Sequence, residues 1–202
     1  MKTREKITNK ALELFNQNGI EYVGMRELAA ALDMKIGNIT YYFPTKDDLV
    51  NQLALDLSDL NAKTLGKEDI TMESFLEMRV RNFQNQYMYR GLLLSFVHIM
   101  KQNPMVAERY KNIGKQRGDG LRLNIRILQK KGFLKLKSAA DLEYLSSLIG
   151  LIARFWISEA AISNNNMSVD KQIRHYVELI TKIFIPFTTK SGKNQIDQFF
   201  KR

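Results

Sequence analysis

MRELAAALDMKIGNITYYFPTK, residues 25–46, reads as two short helices joined by a tight turn, followed by an aromatic run, a proline and a lysine. That is the layout of a helix-turn-helix DNA reader. In the first of the two helices Met25, Leu28, Ala29 and Leu32 point inward, and Gly24 serves as its N-cap. Asp33 falls at the turn, where a left-handed backbone is often needed and Asp tolerates it better than most non-glycine residues. The next helix begins near Lys35 and runs to about Tyr42.

Ile39 and Phe43 are its natural inward pair, which leaves Lys35, Ile36, Gly37, Asn38, Thr40, Tyr41 and Tyr42 for solvent or DNA. An isoleucine, a glycine and two tyrosines suit a major groove better than a water-facing surface. Gly37 allows close approach, Asn38 can pair with base edges, and Ile36 can touch a thymine methyl. Tyrosine hydroxyls and the ammonium groups of Lys35 and Lys46 reach phosphates. Packing of Tyr41 and Tyr42 between helices is the competing reading.

Upstream, Thr3 can cap a first helix whose stripe is Ile7, Ala11, Leu14 and Phe15, and Gly19 closes it. Downstream, Thr45 caps a fourth helix with Asp47 and Asp48 in its first turn, and Gly66 closes that one. A fifth spans about 71–89, a short apolar stretch follows over 91–100, and Pro104 separates it from a basic segment over about 106–130. Gly114, Gly118 and Gly120 predict a kink, a break or close packing there, since each costs up to about 1 kcal/mol in a helix interior. Two long helices close the fold, one over about 139–164 and one carrying Ile173, Tyr176, Val177, Ile180, Ile183, Phe184 and Phe187 as a regular seam. That seam fits either a four-helix bundle with a second subunit or a core within the chain. The tail beyond Pro186 is polar until Ile196, Phe199 and Phe200, and sequence does not decide whether it docks.

The whole reads as all-α, about nine helices, with a three-helix domain over residues 1–47 and a larger helical domain over 48–202. No apolar run reaches the roughly 18 residues of a membrane span, so no membrane is expected and a cytoplasmic location is the default. The absence of cysteine excludes disulfides and thiolate chemistry. The formal charge of +10 invites a nucleic-acid partner, yet its position qualifies that. Residues 1–50 hold seven basic and seven acidic side chains, whereas residues 79–137 hold fourteen Lys/Arg against Glu108 and Asp119. The basic stretch is either a solvated helix face or a contact for DNA backbone or an anionic ligand.

The order Ile7, Ala11, Leu14-Phe15, Gly19, Met25, Leu28-Ala29, Gly37, Ile39, Tyr41, Phe43, Lys46 and Leu49 resembles the amino-terminal domain of the tetracycline-repressor (TetR) family of bacterial transcription regulators. The resemblance covers about a quarter of the chain. It implies a three-helix DNA-binding domain with roles in base or phosphate contact for Lys35, Gly37, Asn38, Thr40, Tyr41, Tyr42 and Lys46. Gly24, Asp33, Lys35, Thr40 and Tyr42 depart from the family's usual residues, which weakens two helix caps and alters single contacts. It also implies a homodimer through the two last helices, and a fourth helix that links reader to core.

Little here resembles catalysis, and no enzyme activity, cofactor or metal is expected. His98 and His175 have no second His or close carboxylate at metal-ligand spacing, and no phosphate-cradling glycine motif occurs. His98 sits in the apolar run SFVHIM, which favours a core position, and His175 faces outward. A small-molecule pocket is the better expectation. Phe75, Met78, Phe83, Tyr87, Phe96, His98, Met100, Phe155 and Trp156 are its candidate lining, although the same residues would also make an ordinary core. The helix-turn-helix predicts DNA binding, and the resemblance implies a repressor that leaves a palindromic operator when an effector binds. A helical adaptor of the same fold without operator recognition is the rival.

Overall fold

A computed structural model of the chain describes residues 2–62 and 70–201. The described residues are helical with no strands, and the chain divides into two compact units. The first is Met1–Ala62 with Asn85–Lys111, and the second is Lys63–Gln84 with Asn112–Arg202.

In the first unit, α1 (Thr3–Asn18), α2 (Met25–Ala31), α3 (Ile36–Tyr42) and α4 (Lys46–Ala62) surround one core. Ile7, Ala11, Phe15, Leu28, Ile39, Phe43, Leu49 and Leu53 are all buried in it. These are the positions that a 3.6-residue period assigns to one face of each helix. The N-cap of α1 is Lys2 and not Thr3: Glu5, at the third helical position, reaches back to accept the Lys2 backbone N–H at 3.0 Å, which supplies one of the two bonds of a capping box. Gly24 is capped the same way by Glu27, at 3.0 Å. Gly19 has φ 87° and donates its N–H to Phe15 O, which closes α1 as expected.

Thr45 caps α4. Its Oγ1 accepts the Asp48 N–H at 3.2 Å and donates to Asp48 Oδ2 at 2.7 Å, while Asp48 Oδ2 accepts the Thr45 N–H at 3.0 Å. Thr45→Ala should cost about 1 kcal/mol, read as a lower melting temperature. An unchanged melt would mean that Asp48 alone holds this end of the helix. The expected stop at Gly66 lies outside the described residues.

α5 (Met72–Met88) is followed by two short helices, α6 (Arg90–Leu94) and α7 (Phe96–Gln102). α6 is pinned to α1. Gly91 N donates to Asn16 Oδ1 at 2.8 Å, and Asn16 Nδ2 donates to Met88 O at 2.8 Å.

α8 (Pro104–Lys130) is separated from α7 at Pro104 as expected and runs unbroken for 27 residues, so neither the break nor the close packing expected of its glycines occurs. Pro104 opens this helix and does not merely precede it: a first-turn proline lacks an N–H that would have had no partner, and Asn103 Oδ1 accepts the Val106 N–H at 3.0 Å. Gly114, Gly118 and Gly120 do not interrupt it, nor do they admit a close neighbour. A Cβ added at Gly114 or Gly120 would meet nothing within 4 Å, and one at Gly118 only the Arg122 side chain at 3.2 Å.

The second unit is closed by α9 (Ala139–Ser163) and α10 (Val169–Phe184). Ser138 and Asp141 form a capping box at the start of α9, with Ser138 Oγ accepting the Asp141 N–H at 3.3 Å. The regular seam of α10 turns out to be this unit's own interior: Ile173, Tyr176, Val177, Ile180 and Phe184 are all buried within the chain. A periodic stripe says that a face is covered, not by what. α9 is apolar on more than one face, as its sequence suggested, and leaves Tyr144, Leu151 and Ile162 exposed. It is also, by length and composition, the one helix among the described residues that could cross a membrane, against the expectation of none. Its buried Leu142, Leu145, Ile149, Trp156 and Ala160 mark it as a core helix of this unit.

A single 3-10 turn, Ile185–Phe187, carries Pro186 and ends α10. The tail is then ordered as α11 (Lys190–Lys201). Lys135 N donates to Phe187 O at 2.7 Å and Thr189 N to Phe133 O at 3.1 Å, a two-bond clasp that docks the tail. Gln195 Oε1 accepts the Met72 N–H at 2.9 Å, and Ile196 is buried.

Candidate DNA-reading face and effector-domain interior

The turn between α2 and α3 places Asp33 at φ 51°, the left-handed conformation expected of it. Met34 N then donates to Ala29 O at 3.0 Å, folding the chain back before α3 begins. Ile39 and Phe43 anchor α3, and both are buried. The opposite side of this seven-residue helix is open: Lys35, Gly37 and Asn38 are exposed, and Ile36 is 43% exposed. Tyr41 is 81% exposed, so it does not pack between helices. Tyr42 is exposed beside it, the two rings meeting edge-on at 5.1 Å. A Cβ at Gly37 would meet nothing, so the helix presents bare backbone at that point.

Two of the expected DNA-contacting residues are turned differently. Thr40 is half-buried, and its Oγ1 donates back to Ile36 O at 3.2 Å. Lys46 is also half-buried. Its ammonium donates to Ile20 O and lies 5.9 Å from the centroid of the Phe15 ring. Burial pushes its pKa down, with Glu21 the largest opposing influence.

The nine candidate ligand residues divide between the units. Phe75, Met78, Phe83, Phe155 and Trp156 belong to the second, and Tyr87, Phe96, His98 and Met100 to the first. In the second unit Phe83 stacks on Trp156 at 4.9 Å, Trp156 lies 5.5 Å from Tyr176, and Phe75 meets Phe184 edge-on at 5.5 Å. In the first, Phe96 packs against Tyr110 at 4.9 Å. His98 is exposed, which corrects its expected core position; an apolar neighbourhood in sequence did not put it inside. His175 is half-buried and sits edge-on to Tyr176.

A groove of about 410 Å³ opens in the second unit between α5, α10 and α11, lined by Arg81, Gln84, Ile173, Arg174, Phe199 and Phe200 among others. None of the nine candidates lines it. Arg174 holds its rim, donating from Nη2 to Phe200 O at 2.7 Å.

Most of the basic side chains of α8 are solvated. Lys111, Lys115, Arg117, Arg126 and Lys130 are exposed, and Arg122 pairs with Glu143 at 2.8 Å. Arg79, counted in the same basic stretch, is the exception: it is buried. Its position was legible, four residues from Phe75 and four from Phe83 on the apolar stripe of α5, but a count of charges hides it.

A short, exposed helix held behind a left-handed turn on the core shared by α1 to α4 defines a helix-turn-helix DNA-binding protein, here joined to a larger all-α unit. Comparison with known proteins agrees. A family model described as "Bacterial transcriptional repressor" matches residues 59–196, and one described as "Bacterial regulatory proteins, tetR family" matches residues 7–53. The chain belongs to the TetR family of bacterial transcription regulators.

Among relatives, the HTH-type transcriptional regulator YttP of Bacillus subtilis (strain 168) is 36% identical over 63 residues, 31% of this chain and 30% of that protein's length. A TetR-family transcriptional regulator from Marinobacter aquaeolei VT8 superposes with a TM-score of 0.91 at 20% identity, covering 100% of this chain and 98% of its own. A transcriptional regulator from Saccharomonospora viridis in complex with choline superposes with a TM-score of 0.70 at 19% identity, covering 88% and 95%. At these identities the structural likenesses speak for the fold.

Proposed function

We infer that the protein is a cytoplasmic homodimeric repressor that binds a roughly palindromic operator and releases it when a small molecule binds the effector domain. Residues 1–47 form the reader and residues 48–202 the effector and dimerisation domain. The observation that carries the reading is the open face of α3, where Lys35, Ile36, Gly37, Asn38, Tyr41 and Tyr42 lie exposed behind a buried Ile39 and Phe43. Asn38 and Ile36 read bases, and Lys35, Tyr41 and Tyr42 hold phosphates, with Thr40 flanking them. Lys46 joins them by swinging from the Ile20 carbonyl to a phosphate.

Support for a dimer comes from α9, whose exposed Tyr144, Leu151 and Ile162 form an apolar face unusual for a monomer's surface. α9 is then the principal contact, with α10 contributing its outward side chains. Support for an effector comes from the aromatic and methionine side chains of the second unit, together with the S. viridis relative that holds choline. Effector binding would select a form in which the two readers no longer match half-sites one helical turn, about 34 Å, or its multiples apart.

Anisotropy titration on DNA upstream of the coding region tests the reading. Sub-micromolar, sequence-selective binding is expected, weakening about 10³-fold or more between 50 and 200 mM salt if six to ten phosphates are engaged. Asn38→Ala should erode discrimination between operators more than total affinity, whereas Lys46→Ala should weaken all DNA alike. Absent or salt-insensitive binding would sink the repressor reading and favour an adaptor of the same fold.

A further inference from the structure

α5 buries Phe75, Arg79 and Phe83 at successive i, i+4 positions, so a guanidinium occupies the middle of an otherwise apolar stripe. On either side, Phe75 packs against Phe184 and Phe83 against Trp156, all within the second unit. Arg79 is only 8% exposed, and its Nε has no hydrogen-bond partner among the described residues. Its guanidinium carbon lies 4.9 Å from the centroid of the Phe75 ring, a cation–π contact that offsets only part of the desolvation. Burial pushes its pKa down to about 10, so it remains charged at neutral pH. A second interior donor of this unit, Asn124 Nδ2 on α8, likewise has no hydrogen-bond partner among the described residues.

No carboxylate among the described residues pairs with Arg79, and a buried cation left without a counter-charge is among the most costly features a core can carry. Guanidinium groups taken out of water are ordinarily matched by a carboxylate or phosphate in forked geometry. We propose that Arg79 anchors the head group of the effector, a monocarboxylate whose apolar body lies along Phe75, Met78 and Phe83. This rests on reading the second unit as the effector domain. One guanidinium balances one negative charge; a dianionic phosphate would leave a buried charge unmatched. Aromatic and thioether side chains on the same helix suit a hydrophobic tail and adapt to its shape. The 410 Å³ groove between α5, α10 and α11 is a separate feature, since Arg79 does not line it.

Trp156 is the single tryptophan of the chain and stacks on Phe83, one turn from Arg79, so its emission reports on this interior. The full-length protein is titrated with decanoate and 4-phenylbutyrate, with their amides decanamide and 4-phenylbutyramide, and with inorganic phosphate. The acids should shift the emission and raise the melting temperature, while the amides bind at least about tenfold more weakly. Arg79→Met should erase the difference between each acid and its amide, and without ligand should melt no lower than wild type, because the buried charge is gone. Arg79→Lys, which keeps the charge but loses the fork, should retain a reduced preference for acids.

Equal binding of acid and amide by the wild type overturns the proposal, as does no response to either acid. Phosphate binding tighter than decanoate overturns it too, and so does an Arg79→Met protein that still prefers acids. The wild-type comparisons need no variant to fold. Operator anisotropy run in parallel separates this proposal from the one beneath it. Acid preference without release from DNA keeps the Arg79 site and overturns effector control. Operator binding with no acid response keeps the regulator and overturns the role of Arg79.

Discussion

Phe43→Ala should lower the stability of the reader by about 3–5 kcal/mol and abolish operator binding, the largest effect expected of any single truncation in this unit. Phe43 is 2% exposed and closes the end of α3, with its N–H donating to Ile39 O at 2.9 Å and the Arg4 guanidinium 5.0 Å above its ring. Removing the ring leaves a cavity at the hinge between α3 and α4, and Arg4 loses the surface it lies on. Tyr41→Ala is the matched contrast, because that side chain is 81% exposed and meets the Tyr42 ring edge-on. It should change stability by less than about 0.5 kcal/mol and still weaken DNA binding. Urea denaturation followed by circular dichroism, paired with anisotropy, reads both. If Phe43→Ala keeps nearly full stability, or Tyr41→Ala binds DNA like wild type, the division of α3 into an anchoring and a reading side is wrong.

Gly91→Ala should also destabilise, by less and for the opposite reason of too much matter. A Cβ at Gly91 would stand 2.5 Å from Phe15 O and 2.7 Å from Phe15 C. Those are backbone atoms of α1 and cannot rotate aside, so α6 must retreat and the Gly91 N–H to Asn16 bond lengthens. Alanine favours helix over glycine by up to about 1 kcal/mol, yet overpacking of this kind costs about 1–3 kcal/mol, and the clash decides the sign. The melting temperature should fall by roughly 2–4 °C per kcal/mol lost. Gly114→Ala, in open space on α8, receives the propensity gain without a clash and should raise it. Two stabilising substitutions would mean that α6 and α1 approach less closely than described.

The reader was legible because its determinants are local. The spacing of Ile7, Ala11 and Phe15, and of Ile39 and Phe43, encodes faces directly, and Asp33 needed only its position in the turn. The caps were legible in place but not in detail: Thr3 lies inside α1, and Glu5 and Glu27 at the third helical positions bond the backbone N–H of the cap residues Lys2 and Gly24. Less legible were features that depend on distant partners. The seam from Ile173 to Phe184 announces burial whichever surface covers it, and the cover proved to be the chain itself. His98 took the apolar character of its sequence neighbours without sharing their face. The tail was undecided because its docking depends on a clasp to Phe133 and Lys135, more than fifty residues away in sequence. Of the candidate ligand residues, Phe83 and Trp156 do come together, but Arg79 between Phe75 and Phe83 was absorbed into a count of surface charge.

The unbroken run of α8 has a mechanical side. Residues 104–111 of this helix belong to one compact unit and 112–130 to the other, and Gly114, Gly118 and Gly120 follow directly after the boundary. Each glycine lowers the intrinsic preference for helix by up to about 1 kcal/mol relative to alanine, and no packing braces Gly114 or Gly120. α8 is therefore a rod with a soft section near the point where it changes hands. Intrinsic helix preference is at its weakest there, and alanine at Gly114 or Gly120 would stiffen that section without a steric cost.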